Sequence, residues 1–598
     1  DLTAFANNIK ENGAKAGYQL ATMGLVFSGF EPDPTAIFQS SDCMDMTAEE
    51  ISNLIADTIK AAATLKRCGF DCVEINAAGE NIGQTFMSRN RNKREDDYGP
   101  QTFESRTRFV CEIVRGIKAE CGEDFPVQVL INGVEENDKA IGDNAFFTTV
   151  EENKEMCKLI EAAGADSLHI RIGPCGQHVA EFAGDLYFCG TGIEGTTGYG
   201  TQFDFTRHWQ GMLKADQSGL GIMVPVAAEI KKAVSIPVGA VTYMDPARDP
   251  EFFESLIASG ELDFILMNRP LSVDYDYLHK LEEGRIDEIR PCTRCMHCHW
   301  DAADDGNLTF SCRTNAAHPF RFVTGQLTGS YDPEPAATAK NVVVVGAGPA
   351  GLEAARVAAE RGHSVTLYEK KGSVGGLLEF ANNVKGPHEN LSVLRSYFER
   401  QMEVLGVNVM LNTEATADII AEASPDIVIA ATGGVRDTLG LSDTAGTKVV
   451  GIDDFMMADI AEEVVIVGSN VQAIDAAMYL LAQGKHVQVV TPNAASAIGA
   501  GHSFWVKTFT QPNMKALGVR FWPEATVTAV NDGSVTVKTA TGIEQEIACG
   551  TVVEALDCLP NDSLSTGLSC EVVTVGDAAR PFNIGEAICS GNAAARAI

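Results

Sequence analysis

The chain is predicted to be α/β: a TIM-type (β/α)8 barrel whose first strands lie upstream of residue 1, then a cysteine-rich segment, then two Rossmann-like nucleotide-binding domains. Three observations predict it. Residues 50–290 alternate apolar β-rich runs with amphipathic helical stretches, the pattern of parallel βα units. Four cysteines crowd residues 292–312. The apolar runs "NVVVV" and "EVVIVG" recur about 120 residues apart, which points to two units of related design.

In the barrel region, residues 1–287, the expected strands are "GYQLA", "FDCVEIN", "PVQVLIN", "DSLHIRIG", "IPVGAVT" and "LDFILMNR". Helical patterns such as "EEISNLIADTIKAAATLKRCG" and "FESRTRFVCEIVRGIKAECG" fall between them, each closed by the glycine expected at a helix C-terminus. Six units fall short of the eight that closure needs, and the chain starts at an aspartate, so about two strands are expected upstream. Period-two alternation in "DSLHIRIG" puts Leu168, Ile170 and Ile172 toward the helices and His169 and Arg171 inside. A long insertion, roughly 174–220 and rich in Gly, Thr, Tyr and Phe, follows this run, where substrate contacts usually sit.

The second region, 288–337, holds Cys292, Cys295 and Cys298 spaced CxxCxxC, with Cys312 after thirteen residues. Three crowded thiolates and one distant one suit the corners of a [4Fe–4S] cube, whereas structural zinc usually takes two separated pairs. His297 and His299 keep zinc open on spacing alone, because imidazole is a good zinc ligand. The other twelve cysteines are scattered through apolar segments and read as buried free thiols of a reducing cytoplasm. "TGQLTGSYDPEPAATAK" then has the composition of a linker.

The first nucleotide domain is placed at 338–455 and 563–598. In "VVVVGAGPAGLEAARVAAERGHSVTLYEK" a strand leads into Gly346, Gly348 and Gly351, a helix, and a second strand ending at Glu369. The glycines serve the tight turn, the approach of backbone N–H groups to a pyrophosphate and close helix packing, and Glu369 can accept from a ribose hydroxyl. "VGGLL" with Gly375 and Gly376, "AATGG" with Thr432 and Gly433, and "TVGDAA" with Asp577 fit a flavin dinucleotide. The other domain, 456–562, keeps Gly468 but has Asn470 and Ala473 where glycines would stand, and Thr491 in place of the ribose-binding acid. A nicotinamide site is expected there, against the alternative that this unit keeps the fold without holding NAD(P)H tightly.

These pieces, in this order, resemble the old yellow enzyme-like NADH:flavin oxidoreductases with a [4Fe–4S] cluster, which include 2,4-dienoyl-CoA reductase, enoate reductase, bile-acid and flavonoid reductases and trimethylamine dehydrogenase. "YQL", "GFDCVEI", "NKREDDYG", "SRTRF", "DSLHI", "MNRPL" and "IRPCTRC" carry the likeness. It implies FMN in the barrel, with Gln19 facing the flavin ring, Asn76 among the cofactor-binding residues, and the phosphate near Ala240 to Thr242 and near Asn268 and Arg269. It also makes the first dinucleotide FAD, with Asp577 near the ribityl chain. "INAAGEN", with Asn76, Gly79 and Asn81, departs from the family's carbonyl-binding pair and tyrosine, and Leu130 stands where an Arg usually contacts the flavin. Arg171 is therefore expected to supply the positive charge, and His178, with Tyr187 and Tyr199 as competitors, the proton. Position between a barrel and an FAD unit favours the cluster on Cys292, Cys295, Cys298 and Cys312 over zinc, without His297 and His299.

The 598 residues carry a formal net charge of −35, which disfavours nucleic acid and anionic membrane surfaces as partners. No apolar run long enough to span a bilayer and no secretory signal is seen, so a cytoplasmic location is expected. The resemblance implies reduction of a C=C bond conjugated to a carbonyl in a small molecule such as an enone, enoate, flavonoid or steroid. Electrons would pass from NAD(P)H through FAD and the cluster to FMN. It also implies that the chain can form homo-oligomers. The alternative is an amine dehydrogenase that sends electrons to a carrier protein.

Overall fold

The computed structural model describes residues 1–21, 43–79, 81–135, 148–173, 220–221, 223–298, 301–302, 308–309, 311–319, 321, 325, 327–385, 389–503, 506–507, 511, 514–515, 518–561, 563–564 and 567–598. They fall into two compact units, one ending at Met267 and the other starting at Asn268.

In the first unit, β1 (Gly17–Ala21), β2 (Cys72–Ala77), β3 (Val127–Glu135), β4 (Ser167–Gly173), β5 (Val238–Ala240) and β6 (Phe264–Ile265) form one sheet in sequence order. Every neighbouring pair is parallel, as strands joined by helical crossovers must be. The crossover helices Ala48–Arg67 and Phe103–Cys121 match the expected periods. Gly69 and Gly122 follow them at φ 94° and 93°, a conformation that costs glycine little. β5 and β6 are shorter than expected. β5 ends because Thr242 and Tyr243 both turn to positive φ, 84° and 49°, and β6 because the short helix Arg269–Val273 begins four residues after it.

The second unit holds two five-stranded parallel sheets, each a dinucleotide-binding arrangement of strands. The first runs Asn408–Met410, Ser364–Tyr368, Asn341–Val345, Ile427–Ala430, Glu571–Thr574, so the C-terminal segment returns to the sheet begun at 341. The second runs Lys448–Gly451, Thr551–Glu554, Glu463–Val467, His486–Val490, Arg520–Trp522. Both central strands are buried on both faces, which is why they read as unbroken valine and isoleucine runs rather than alternating ones. Among the described residues, no helix is long and apolar enough to cross a membrane.

Candidate functional site

Strand register decides what the barrel interior offers. Gln19, Glu74, Gln128 and Ser167 share one level of the sheet, and Asn76, Leu130 and His169 the next. Glu74 ties the first level together: its carboxylate accepts from the Gln19 amide and from Gln128 (2.7 Å), and His169 Nδ1 lies 2.8 Å from it. Asn76 donates to Gln19 Oε1 at 3.0 Å. His169 thus faces inward, while Leu168 and Ile170 are fully buried behind the sheet, as alternation requires. Arg171 follows two residues on, opposite Asn132. Leu130, where a cation was missed, is buried.

Buried polar atoms without protein partners mark where a polar ligand edge is wanted. In this unit they include His169 Nε2, Asn132 Nδ2 and Asn81 Oδ1. A flavin edge, with its alternating donors and acceptors, fits that set. Glu74 was not foreseen as its organiser, although it stands two residues before Asn76 on the same face. His178, Tyr187, Tyr199 and His299 lie outside the described residues.

In the second unit, Cys292, Cys295, Cys298 and Cys312 line one cavity of about 260 Å³, together with Asn268, Arg269, Arg313 and His318. Arg294 and Met296, two of the four residues between the first three cysteines, take positive φ of 58° and 63°, a costly conformation for side-chain-bearing residues. Burial pushes the thiols of Cys292 (to about 11), Cys298 and Cys312 up, and the neighbouring thiols add to it. At Cys295 burial acts the same way, but the Arg313 guanidinium, His297 and backbone N–H groups outweigh it and lower the thiol. Three thiols pushed up by burial beside one that is lowered are a set of sulfur ligands that would ionise when positive metal arrives.

Among the described residues, no three Cys, His, Asp or Glu side chains close around a point as a single ion needs. Four cysteines walling one cavity are a donor set of the kind that holds an iron–sulfur cluster. Asn268 and Arg269, expected at a flavin phosphate, stand on this wall, with Arg269 Nη1 3.4 Å from Met296 Sδ.

The first nucleotide cradle has the three glycines in the three expected roles. A Cβ on Gly346 would meet the Ala431 carbonyl oxygen at 2.2 Å, and one on Gly351 would meet the Gly346 oxygen at 1.9 Å, so both must be glycine for packing. At Gly348 a Cβ would meet nothing, which leaves the space to a ligand. Glu369 accepts from the Ala347 and Lys371 N–H groups, both at 2.8 Å, and keeps lone pairs for a ribose. Thr432 Oγ1 is buried without a partner beside Gly433, and Gly376 faces Gly348. Asp577 accepts from Phe582 N–H, and burial raises its carboxyl. The cradle fits a flavin dinucleotide. Gly468 repeats the role of Gly346 in the second sheet, with a Cβ there 2.0 Å from the Ala555 oxygen.

A buried line of alternating charge joins the cysteine cavity to the second sheet, and no local sequence pattern announced it. Arg313 bonds Glu389, Lys385 lies 3.2 Å from Glu389 and 3.0 Å from Asp475, and His502 Nε2 lies 3.1 Å from Asp475. Every member is buried. Asn390 Nδ2 donates to the Cys292 carbonyl at 2.9 Å, so the same stretch holds the cysteine loop.

Residues 1–173 match the family model of the NADH:flavin oxidoreductase / NADH oxidase family, and residues 340–577 that of pyridine nucleotide-disulphide oxidoreductases. The chain is 34% identical over 78% of its length to an NADH oxidase of Thermoanaerobacter brockii, covering 65% of that protein. It is 31% identical over 75% of its length to a cinnamate reductase of Clostridium sporogenes, covering 62% of it. The chain thus spans just under two thirds of those relatives. A solved 2-naphthoyl-CoA reductase complex matches all of the chain and 87% of that structure's chain, with a TM-score of 0.80 at 27% identity. Amine dehydrogenases are among the further matches.

Proposed function

Because the chain belongs to the 2,4-dienoyl-CoA reductase-like family, in which an NADH:flavin oxidoreductase barrel precedes a pyridine nucleotide-disulphide oxidoreductase module, we propose that it reduces a C=C bond conjugated to a carbonyl at the expense of NAD(P)H. The observation that carries this reading is the convergence of four cysteines on one cavity in the same compact unit as an open dinucleotide cradle. Relatives named for reducing cinnamate and 2-naphthoyl-CoA support the substrate class.

FMN would be held by Gln19, Asn76 and Arg171, FAD by the Gly346 to Gly351 turn with Glu369, Gly376, Thr432, Gly433 and Asp577, and a [4Fe–4S] cluster by Cys292, Cys295, Cys298 and Cys312. Bound there, these groups supply hydride acceptance, one-electron transfer and hydride donation to the β-carbon. The chain's own residues do the rest. Glu74 fixes the rotamers of Gln19 and His169, so the inner wall of the barrel is preorganised. Arg171 places a positive charge on that wall, where negative charge would accumulate. His178 is proposed to protonate the α-carbon, with Tyr187 and Tyr199 as alternatives. Asn268 and Arg269 belong to the cluster wall in this reading, where a cation offsets the charge of four thiolates.

Anaerobic holoprotein mixed with NADH or NADPH should lose its flavin absorbance, and an enoate, enoyl-CoA, flavonoid or 3-ketosteroid should restore it. Arg171→Ala and His178→Ala should each slow that reoxidation; either variant at the parent rate with full FMN loses its assigned role. Bleaching by a methylated amine instead, with none by either nicotinamide, would establish the second reading, an amine dehydrogenase feeding a carrier protein. The side chains at Asn470, Ala473 and Thr491 favour that reading.

A further inference from the structure

The two nucleotide units of this chain superimpose in their logic and differ at the turn that must receive dinucleotide phosphates. Strand Ile427–Ala430 is followed by Ala431, whose N–H donates to Val345, and strand Thr551–Glu554 by Ala555, whose N–H donates to Val467, both at 2.8 Å. The Ala347 carbonyl accepts from Gly375 N–H, and the Ser469 carbonyl from Gly499 N–H. These pairs set the correspondence: Gly348, Gly376 and Gly433 in the first unit are Asn470, Ala500 and Asp557 in the second.

These three glycine positions of the first cradle therefore carry side chains in the second, whereas Gly346 and Gly375 keep glycine counterparts in Gly468 and Gly499. Asn470 and Ala500 pair with each other in an isolated bridge. Asn470 Oδ1 accepts from Ala473 N–H at 2.9 Å, capping helix Val471–Ala482, whereas helix Pro349–Glu360 has no side-chain cap and keeps its first N–H groups for a ligand. Asn470 Nδ2 donates to the Ala555 carbonyl (3.1 Å) and to the Asp557 carboxylate (3.0 Å). An internal anion thus stands at the helix end where a pyrophosphate would bring two more negative charges. The neighbouring cation, Arg436, is engaged with Asp453 at 2.6 Å and with Gln472. Glu554 adds a further negative charge, held by the Thr438 hydroxyl and the Leu439 N–H.

We infer that the Asn470–Asp557 pair is an internal occupant of the phosphate position in the second nucleotide unit, so that a nicotinamide dinucleotide binds there weakly and only by displacing it. The inference rests on the nicotinamide reading of that unit, and it makes Asp557 a determinant of dinucleotide affinity. Like charges juxtaposed at a binding surface oppose association, and removing one relieves it.

The test uses anaerobic holoprotein titrated calorimetrically with ADP-ribose, which carries the phosphates but no redox chemistry, and with NADH and NADPH followed by flavin absorbance. Asp557→Asn keeps the hydrogen bond from Asn470 without the charge, Asp557→Gly restores the first unit's residue, and Asn470→Gly opens the cradle further. Asp557→Asn and Asp557→Gly should each tighten ADP-ribose binding at least tenfold, and the KM for the active nicotinamide should fall in parallel. Affinities unchanged or weakened in both Asp557 variants overturn the inference while nicotinamide reduction of the parent still stands. If ADP-ribose, NADH and NADPH bind neither the parent nor any variant, the inference and the nicotinamide reading fall together.

Discussion

Glu353 has no exposed surface and sits between Arg290 (3.2 Å) and Arg356 (2.9 Å), with Asn592 donating at 2.8 Å. Burial alone would raise its carboxyl, but the two guanidiniums outweigh that and hold it at about 2. An ordinary Glu titrates near about 4.3. The depressed group therefore contributes its full stability above about pH 4, and loses it as pH falls through about 2. Glu353→Gln should cost about 3–5 kcal/mol at neutral pH, since it leaves two buried guanidiniums short of a counter-charge. Its melting temperature should also fall less steeply than the parent's below about pH 4, measured by calorimetry across pH. None of this was legible beforehand, because Arg290 and Glu353 lie 63 residues apart and meet only in the fold. The glycines were legible: their three roles follow from the spacing of Gly346, Gly348 and Gly351 alone.

At the scale of elements, helix and strand positions could be read wherever burial imposes a period. The helices Ala48–Arg67 and Phe103–Cys121 show it, and so does the inward-facing His169, whose Nδ1 reaches Glu74. The early end of β5 could not be read, because backbone turns at Thr242 and Tyr243 override an apolar run that still looks like a strand. The phosphate turn separates folding from binding in a way that two substitutions expose. Gly351→Ala places a methyl 1.9 Å from a carbonyl oxygen and should destabilise the domain enough to lower its melting temperature by several degrees. Gly348→Ala meets no atom of the protein and should leave melting nearly unchanged while FAD content drops, measured by released flavin.

For the molecule as a whole, module order was legible from composition and punctuation: parallel βα units, a cysteine segment, a linker, then two recurring strand–turn–helix motifs. The four cysteines converge as their spacing suggested, but the two left-handed residues that turn them toward one cavity have no signature, since neither is glycine. Cys312→Ser should remove iron and acid-labile sulfide together. On the proposed electron path, NADH or NADPH should still bleach the FAD in that protein, whereas reduction of an unsaturated substrate should fall to background. The buried charge line from Arg313 to His502 has a different consequence, for recombination rather than catalysis. A nucleotide-binding module grafted onto a foreign barrel and cysteine segment would arrive with Lys385, Glu389 and Asp475 facing whatever replaced Arg313. Chimaeras that cut between residues 313 and 385 should therefore express as insoluble protein unless an arginine is supplied at the junction, so the portable block begins upstream of Arg313 and not at the linker.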